Sequence, residues 1–387
     1  MDRRRFLWSA SSLWTLAGLG RAFAASPQES ALQKRVRAQL NLGIEEELTV
    51  GAVALVAQQG QLKVLEATGY ADRDSHTPMR TDAVFDIRSM SKPITVLGAL
   101  FLVQEGKLKL DDSLDSILPE FSHLSVAGQA QPVTVPVTIR QLMTHTSGIA
   151  SQRPAEIGDI TRTFDHTLAD AVALTAKQPL DFLPGTRWAY SSPGIAVLGR
   201  VIEVVSGQPF AAFMHQRIFA PLDMQDTSFF TDPSKVRRIP TMYNLENGHL
   251  VKDVMDVTRP NQKYPAPEFG LFSTAEDLRR FGQLMLDRGK WKGRSLLSPA
   301  LVDAATHPYV MTTIPKYHAG LGWAVHTGSE AAMSYAATDG SYGASGASSG
   351  LIWIDPSLQL IRIYLTHHFG DGSLADGNPV MNAAFPC

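Results

Sequence analysis

Hydrophobic residues alternate with polar ones near both ends of the chain and recur at helical spacing between them. Ala31 to Leu42 has the pattern of an amphipathic helix. Runs that predict strands are Val50 to Ala57, Leu62 to Gly69, Leu321 to Val325, Leu351 to Ile354 and Leu360 to Leu365. The pattern predicts an α/β (α+β) fold in which both chain ends build one antiparallel sheet flanked by helices.

The middle of the chain differs from its ends. From residue 107 to 290 the periodicity is mainly helical, with a polar, irregular stretch from about 231 to 268. We therefore predict that residues 25–106 and 291–387 form a sheet domain, and that residues 107–290 form an inserted, mainly helical domain.

The first 24 residues have the features of an export signal. Arg3-Arg4-Arg5 precedes an uncharged stretch from Phe6 to Gly20, and Arg21-Ala22-Phe23-Ala24 ends in a small-x-small site. Adjacent arginines before an apolar segment resemble the twin-arginine signal, which indicates a periplasmic or secreted protein without a stable membrane anchor after cleavage. An ordinary secretion signal or an uncleaved anchor is the alternative.

Charge and cysteine content exclude several classes of protein. Removing residues 1–24 takes away four arginines and one aspartate, so the formal charge falls from −2 to −5. Nucleic acid is therefore not an expected partner, because it requires a basic surface. The single cysteine, Cys387, excludes a disulfide framework within the chain and a thiolate metal site. We expect neither a metal nor another cofactor.

A Ser-x-x-Lys sequence, Ser89-Met90-Ser91-Lys92, lies at the start of a helix predicted over Ser89 to Glu105. Spacing of three residues places the Ser89 hydroxyl and the Lys92 amine on the same helix face. A serine hydroxyl needs a base to become a good nucleophile, and a lysine can serve when its surroundings lower its pKa. Because such a short motif also occurs by chance, its context has to decide.

Several longer phrases supply that context. The chain resembles the serine β-lactamase-related hydrolases of the class C type, a family that includes the family VIII carboxylesterases and the D-amino-acid peptidases. The phrases occur in the family's order over about residues 30 to 366. They are Phe85–Lys92, Thr138–Gly148, Pro184–Gly194, Gly199–Glu203, Pro221–Met224 and Gly270–Thr274.

The resemblance implies roles for three residues. Ser89 matches the nucleophile, Lys92 the base that activates it, and Tyr190 the tyrosine that moves a proton between nucleophile and leaving group. The alternatives are a solvated helix start for Ser89 and Lys92, and a buried packing residue for Tyr190.

The chain departs from the family in its third motif. Relatives carry Lys-Thr-Gly, His-x-Gly or Trp-Gly-Gly on the strand beside the nucleophile, where this chain has Ala344-Ser345-Gly346. The resemblance implies that the amide of the next residue, Ala347, is the second oxyanion donor, a role that needs only backbone. Ala344 cannot hold a substrate carboxylate, which favours neutral esters.

A second departure is Ser192, where relatives usually have asparagine. A serine hydroxyl reaches less far than an amide, so Ser192 either orients a water or is a turn residue. Both departures also leave open a catalytically degenerate binding protein on the same fold.

Histidines and a second serine provide alternative interpretations. His326-Thr327-Gly328 matches the family's His-x-Gly form and is an alternative third motif. Ser348 lies in a Gly-x-Ser-x-Gly sequence, Gly346 to Gly350, the motif that carries the nucleophile of α/β-hydrolases, and is an alternative nucleophile. We interpret His367-His368 as a strand end near the active-site rim, with exposure to solvent as the alternative. We expect a hydrogen-bonded, structural role for His145.

These observations together predict an exported serine hydrolase, most simply a carboxylesterase acting on small esters through an acyl-enzyme on Ser89. A small-molecule ester or amide is the expected substrate. A β-lactamase or a D-amino-acid peptidase or transpeptidase is the alternative within the family. It would need a group that holds a carboxylate, such as Arg187 or His326.

Overall fold

The computed structural model describes residues 29–129, 132–151, 155–253, 259, 262–313, 317–328, 336–369 and 377–385. The predicted export signal, residues 1–24, and Cys387 lie outside the described residues.

In the described part of the chain, nine strands form one antiparallel sheet in the order β10-β11-β12-β13-β14-β15-β1-β2-β3. The prediction that both chain ends build this sheet is confirmed. Its centre is the pairing of β1 with β15, which joins Ala52 to Thr366 and Gln58 to Leu360. The strands are β1 (Gly51–Gln58), β2 (Gln61–Asp72), β3 (Thr77–Pro78), β4 (Phe85–Asp86), β5 (Tyr243–Glu246), β6 (His249–Lys252), β7 (Phe272–Ser273), β8 (Lys290–Trp291), β9 (Arg294–Ser295), β10 (Val310–Met311), β11 (Tyr317–Ala319), β12 (Ala324–His326), β13 (Tyr342–Ser345), β14 (Leu351–Asp355), β15 (Leu360–Thr366) and β16 (His368–Phe369).

Helices cover both faces of the sheet, and most of them lie in sequence between the two chain segments that build it. They are α1 (Ala31–Glu45), α2 (Ser91–Gln104), α3 (Ile139–Met143), α4 (Ala155–Thr163), α5 (Leu168–Ala176), α6 (Ser192–Ser206), α7 (Phe210–Met214), α8 (Ala275–Leu286), α9 (Pro299–Ala305) and α10 (Gly377–Ala383). Within the described ranges, no single helix is long and apolar enough to cross a membrane. The segments Ser192–Ser206 and Phe210–Phe219 meet that test only as a pair bent by 80°.

The central strand β1 is buried on both faces, which explains its nearly continuous apolar sequence. Ala52, Ala54 and Val56 pack with α1 and α10 on one face. Val53 and Leu55 face the larger core, to which α2 and α8 contribute. Helix α8 contacts β1, β14 and β15, although it lies within the predicted helical insert. The division of the chain at residues 107 and 290 remains a prediction.

One predicted strand begins later than expected. The alternating residues from Leu321 to Val325 predict a strand, but Leu321–Trp323 form a bend and β12 begins at Ala324. Gly322 causes the difference, because its φ of 76° is left-handed. Its Cα also lies so close to α2 that an added Cβ would stand 2.8 Å from Val96.

A hairpin lies in the stretch that we describe from the sequence as polar and irregular. Strands β5 and β6 pair antiparallel, and β16 joins β5 in parallel. The turn is Asn247-Gly248, whose φ angles of 52° and 82° are both positive. Asn-Gly is the strongest short signal for a two-residue hairpin turn, so this element could have been predicted.

Candidate active site

A sharp turn presents Ser89 at the start of α2. Arg88 has a φ of 48°, and Arg88–Met90 form one 3-10 turn directly before the helix. The Asp86 carboxylate accepts the Arg88 backbone N–H at 3.2 Å and pairs with the Arg88 guanidinium at 3.1 Å. These contacts hold Arg88 in a backbone conformation that non-glycine residues rarely adopt.

Asp86 is itself held in place from behind the turn. It is 1% exposed and forms a second ion pair with the buried Arg259. Burial by itself would raise the pKa of this carboxyl, but the Arg259 and Arg88 charges hold it below its usual range. Ser348 donates its hydroxyl to the Asp86 carbonyl at 2.8 Å and is 1% exposed. Ser348 therefore supports the turn and does not face substrate.

Lys92 reaches Ser89 from one turn along α2. Its Nζ donates to Ser89 Oγ at 2.9 Å and to the Glu268 carbonyl at 2.8 Å. Thr95, one turn further, donates its hydroxyl to the Pro267 carbonyl at 2.7 Å. The segment that carries the Glu268 carbonyl is thereby fixed to the same helix face, and Lys92 is 2% exposed.

Tyr190 meets this pair from the start of α6. Ser191 caps that helix by accepting the Gly194 N–H at 3.0 Å, and Tyr190 immediately precedes the cap. The Tyr190 ring lies beside Lys92, with 4.8 Å between Nζ and the ring centroid, and its side chain is 44% exposed. It is therefore not the buried packing residue that we weigh as its alternative role.

The strand with the altered third motif lies against the nucleophile turn. Ala344 and Ser345 end β13, and a Cβ added to Gly346 would stand 2.4 Å from the Ile87 carbonyl oxygen. His326, from the alternative motif, is fully buried on the neighbouring strand β12. The structure thus places Ala344-Ser345-Gly346 beside Ser89.

These elements enclose a cavity of about 290 Å³. Among the described residues that line it, Lys92 is the only lysine or arginine. Ser192 and Arg187 do not line it, and the Arg187 guanidinium lies over Phe182 and donates to the Asp181 carbonyl. The lining residues are Ser89, Lys92, His145, Trp188, Tyr190, Thr312, Tyr317, His318, Ala319, Gly322, Trp323, Ala324, Gly343, Ala344, Ser345, Gly346, Ala347 and Ser349.

The family model described as "Beta-lactamase" matches residues 32–384 of the chain, a span that includes the sheet and the whole cavity. The chain belongs to the β-lactamase family. Its expected fold, that of the serine β-lactamases and penicillin-binding proteins, is confirmed.

Relatives of this family member include esterases and penicillin-binding proteins. It is 32% identical to esterase EstB of Burkholderia gladioli over 284 residues, which cover 66% of this chain and 71% of EstB. It is 32% identical to penicillin-binding protein 4* of Bacillus subtilis over 191 residues, 48% of this chain and 39% of that protein. The solved structure of EstCE1, a hydrolase with promiscuous acyltransferase activity, superposes with a TM-score of 0.82 at 26% identity. The superposition covers 92% of this chain and 98% of EstCE1. This β-lactamase-family chain is a serine hydrolase.

Part of the cavity wall in this β-lactamase-family enzyme has no counterpart among the sequence predictions. Tyr317 and His318 come from β11, a strand of three residues that is too short to show a period. His318 Nδ1 lies 3.1 Å from the Thr327 hydroxyl. Trp188 directly follows the Pro184-Gly185-Thr186-Arg187 turn, and its place two residues before Tyr190 is the signal that could have indicated it. Among the described residues, no cluster of His, Cys, Asp or Glu side chains is arranged to hold a metal ion.

His367-His368 directly follows the end of β15, as predicted, but its predicted place at the active-site rim is wrong, and so is the alternative of exposure to solvent. The two side chains are 3% and 4% exposed, and neither lines the cavity. His367 Nδ1 contacts the Pro240 carbonyl, and His368 Nδ1 lies 3.2 Å from the Thr366 hydroxyl. Strand β16, which begins at His368, pairs in parallel with β5, the hairpin strand that the sequence analysis misses.

These buried histidines are expected to make the protein sensitive to acid. Burial lowers the pKa of both His367 and His368 to about 4, whereas an unfolded histidine titrates near 6.5. Between these values the unfolded chain binds more protons than the folded one. The free energy of unfolding is therefore largest above about pH 6.5 and decreases as the pH falls toward 4.

Urea unfolding of the wild type and His368→Asn at pH 7, 6 and 5 tests this expectation. Asparagine does not titrate and can take over the contact with Thr366. From pH 6 to 5, the wild type is expected to lose about 1 kcal/mol more unfolding free energy than the variant. Equal losses in both proteins would show that His368 is already protonated in the folded state.

Proposed function

We propose that this chain is an exported carboxylesterase that cleaves small neutral esters through a covalent acyl-enzyme on Ser89. The observation that carries the proposal is the 2.9 Å contact between Ser89 Oγ and the buried Lys92 Nζ at a cavity of about 290 Å³. Similarity to the esterases EstB and EstCE1 supports the same reaction class.

In the proposed reaction, Lys92 takes the proton of Ser89 Oγ as this oxygen attacks the ester carbonyl carbon. The backbone N–H groups of Ser89 and Ala347 stabilise the negative charge that develops on the carbonyl oxygen. Tyr190 donates a proton to the departing alcohol, and the acyl group remains on Ser89. Water then attacks the acyl carbon and gives a proton to the Tyr190 phenolate, which restores the tyrosine. The bond between the acyl carbon and Ser89 Oγ breaks, Lys92 returns its proton to Ser89 Oγ, and the acid is released.

The surroundings of the cavity favour neutral substrates. A β-lactamase or a D-amino-acid peptidase must hold a carboxylate, and we expect Arg187 or His326 to do so if either activity is present. Neither side chain lines the cavity. Ala344, which the resemblance aligns with the first residue of the family's third motif, carries no charge. An apolar wall that includes Trp188 and Trp323 suits an uncharged acyl group instead.

Export is proposed from the sequence of residues 1–24 alone. The adjacent arginines and the small-x-small site at Ala22-Phe23-Ala24 support cleavage after Ala24 in the periplasm or on secretion.

Intact-mass spectrometry of protein isolated from the periplasm tests the proposal. The purified chain is expected to begin at Ala25. A fluorophosphonate should add to the wild type and not to Ser89→Ala. The wild type should turn over p-nitrophenyl butyrate, whereas a penicillin should leave no adduct. Ser348→Ala is the matched control and should label like the wild type, because Ser348 is buried behind the turn.

Other outcomes would point to other functions. A lasting penicillin adduct on Ser89 would identify a penicillin-recognising enzyme. If no probe labels the folded wild type, the acyl-enzyme mechanism is wrong and a binding protein on this fold becomes the better hypothesis.

A further inference from the structure

His145 contacts Tyr190 and both of its neighbours in the sequence, Ala189 and Ser191. Its carbonyl accepts the Ala189 N–H at 3.0 Å, and its ring Nδ1 accepts the Ser191 N–H at 3.2 Å. Between these two bonds, its ring packs on the Tyr190 ring, with 4.7 Å between centroids and 37° between planes. One residue thus contacts the backbone on both sides of Tyr190 and the tyrosine ring itself.

We propose that His145 is a positioning residue that holds the Tyr190 ring beside Lys92, so that the tyrosine is aligned for proton transfer. This inference rests on the function proposed above for Tyr190. It goes further because it assigns to a histidine 45 residues away in sequence the alignment of the proton donor.

The backbone of His145 is arranged for this contact. Helix α3 begins with reciprocal bonds between Thr138 and Gln141 and ends at Met143. Two residues later, His145 has a φ of 57°, which directs its ring back toward the start of α6. Such a conformation is uncommon for a non-glycine residue and is kept only where the surrounding structure fixes it.

The bond from Ser191 also determines the protonation state of the ring. Nδ1 accepts a hydrogen bond, so the ring proton is assigned to Nε2. Burial lowers the pKa of His145 to about 3, and His145 is therefore neutral near neutral pH. Trp188 covers it edge-on, with 6.4 Å between ring centroids.

Tyr190 depends on this contact because its side chain is 44% exposed. An exposed tyrosine without a neighbouring ring has more side-chain rotamers available, and only some of them bring the hydroxyl to the leaving group. Displacement of a reacting group by about 1 Å can cost about 10²-fold in rate. Loss of the His145 ring is therefore expected to act on the proton-transfer step.

A double-mutant cycle of His145→Asn and Tyr190→Phe tests the proposal. Asparagine tolerates a positive φ and keeps an acceptor for the Ser191 N–H, but it removes the ring. We measure kcat/KM for ethyl butyrate, whose alcohol must be protonated as it leaves, and for p-nitrophenyl butyrate, whose phenolate leaves without a proton. His145→Asn is expected to lose about 10-fold on the ethyl ester and less than 3-fold on the nitrophenyl ester.

In the Tyr190→Phe background, the further loss caused by His145→Asn is expected to be less than 2-fold on either ester. Equal losses on both esters, repeated in both backgrounds, would show that His145 only stabilises the fold and would overturn the proposal. A His145→Asn enzyme with wild-type rates would overturn it as well.

A second variant and a control complete the design. His145→Phe keeps a ring but has no acceptor for Ser191, and its loss should likewise disappear in the Tyr190→Phe background. The double-mutant cycle is calculated only from variants whose circular dichroism shows cooperative unfolding. His368→Asn removes another buried histidine, away from the cavity, and should leave the ratio of rates on the two esters unchanged.

The same data separate this inference from the proposed function. If Ser89 is not labelled, or if Tyr190→Phe alone has wild-type rates, the function proposed for those residues is wrong and the inference is overturned with it. If both residues prove essential but the His145 and Tyr190 losses are additive, only the inference is wrong.

Discussion

Lys92→Ala is expected to lower kcat/KM for p-nitrophenyl butyrate by about 10²–10⁴-fold, which is the usual contribution of a positioned general base. In the structure, the amine lies 2.9 Å from Ser89 Oγ, and its other bond goes to the Glu268 carbonyl. Without the amine, the serine hydroxyl has to lose its proton to water. Stopped-flow measurement of p-nitrophenol release during the first turnover reports this acylation step directly.

Lys92→Arg is the matched control for this prediction. Arginine places a fixed positive charge near Ser89 but cannot accept a proton, because a guanidinium is not deprotonated in proteins. If Lys92 acts as a base, both variants lose acylation. If the arginine variant acylates at the wild-type rate, the charge alone is sufficient and the proposed proton transfer is wrong. Circular dichroism on both variants separates loss of chemistry from loss of folding.

Gly346→Ala is expected to reduce kcat/KM by about 10²-fold, although it adds only one methyl group. The added Cβ would stand 2.4 Å from the Ile87 carbonyl oxygen and 3.3 Å from the Arg88 Cβ. Backbone atoms at such a distance must move apart, so the end of β13 is displaced from the nucleophile turn. Ala347 follows directly, and its N–H is the proposed oxyanion donor. A shift of about 1 Å there matches a loss of this size.

Gly158→Ala provides the comparison for that variant. Gly158 lies in α4, and apart from its neighbours and the backbone of α4, nothing in the described part of the chain lies within 4 Å of its added Cβ. Alanine is favoured over glycine in a helix, so this variant should keep full activity and be at least as stable as the wild type. If Gly346→Ala also keeps wild-type kcat/KM, the end of β13 does not supply the oxyanion donor.

Local patterns in the sequence predict much of the sheet and one half of the candidate site. The strands that become β1, β14 and β15 are visible as nearly continuous apolar runs, because they are buried on both faces. The run that becomes β2 is visible as well, although β2 is only partly buried. Ser89 and Lys92 are three residues apart at a helix start, so helix geometry alone brings their side chains together. Tyr190 is found only through the resemblance to the family.

Contacts between distant parts of the chain are not visible in the same way. The third-motif strand and the nucleophile turn are about 260 residues apart, and their approach depends on the absence of a side chain at Gly346. The sequence does not show that His367 and His368 are buried, because nothing local shows that β16 pairs with β5 or that His367 contacts Pro240. Short strands such as β11 are also missed, since three residues cannot show a period.

The sequence by itself determined the features that depend on local geometry, namely the sheet from both chain ends and the Ser89–Lys92 pair. Only the tertiary structure decided what surrounds that pair. The Glu268 carbonyl, 176 residues from Lys92, binds its amine, and His145 packs on Tyr190. The physical reason is that hydrophobic periodicity reports which face of an element is buried, but not which distant residue buries it.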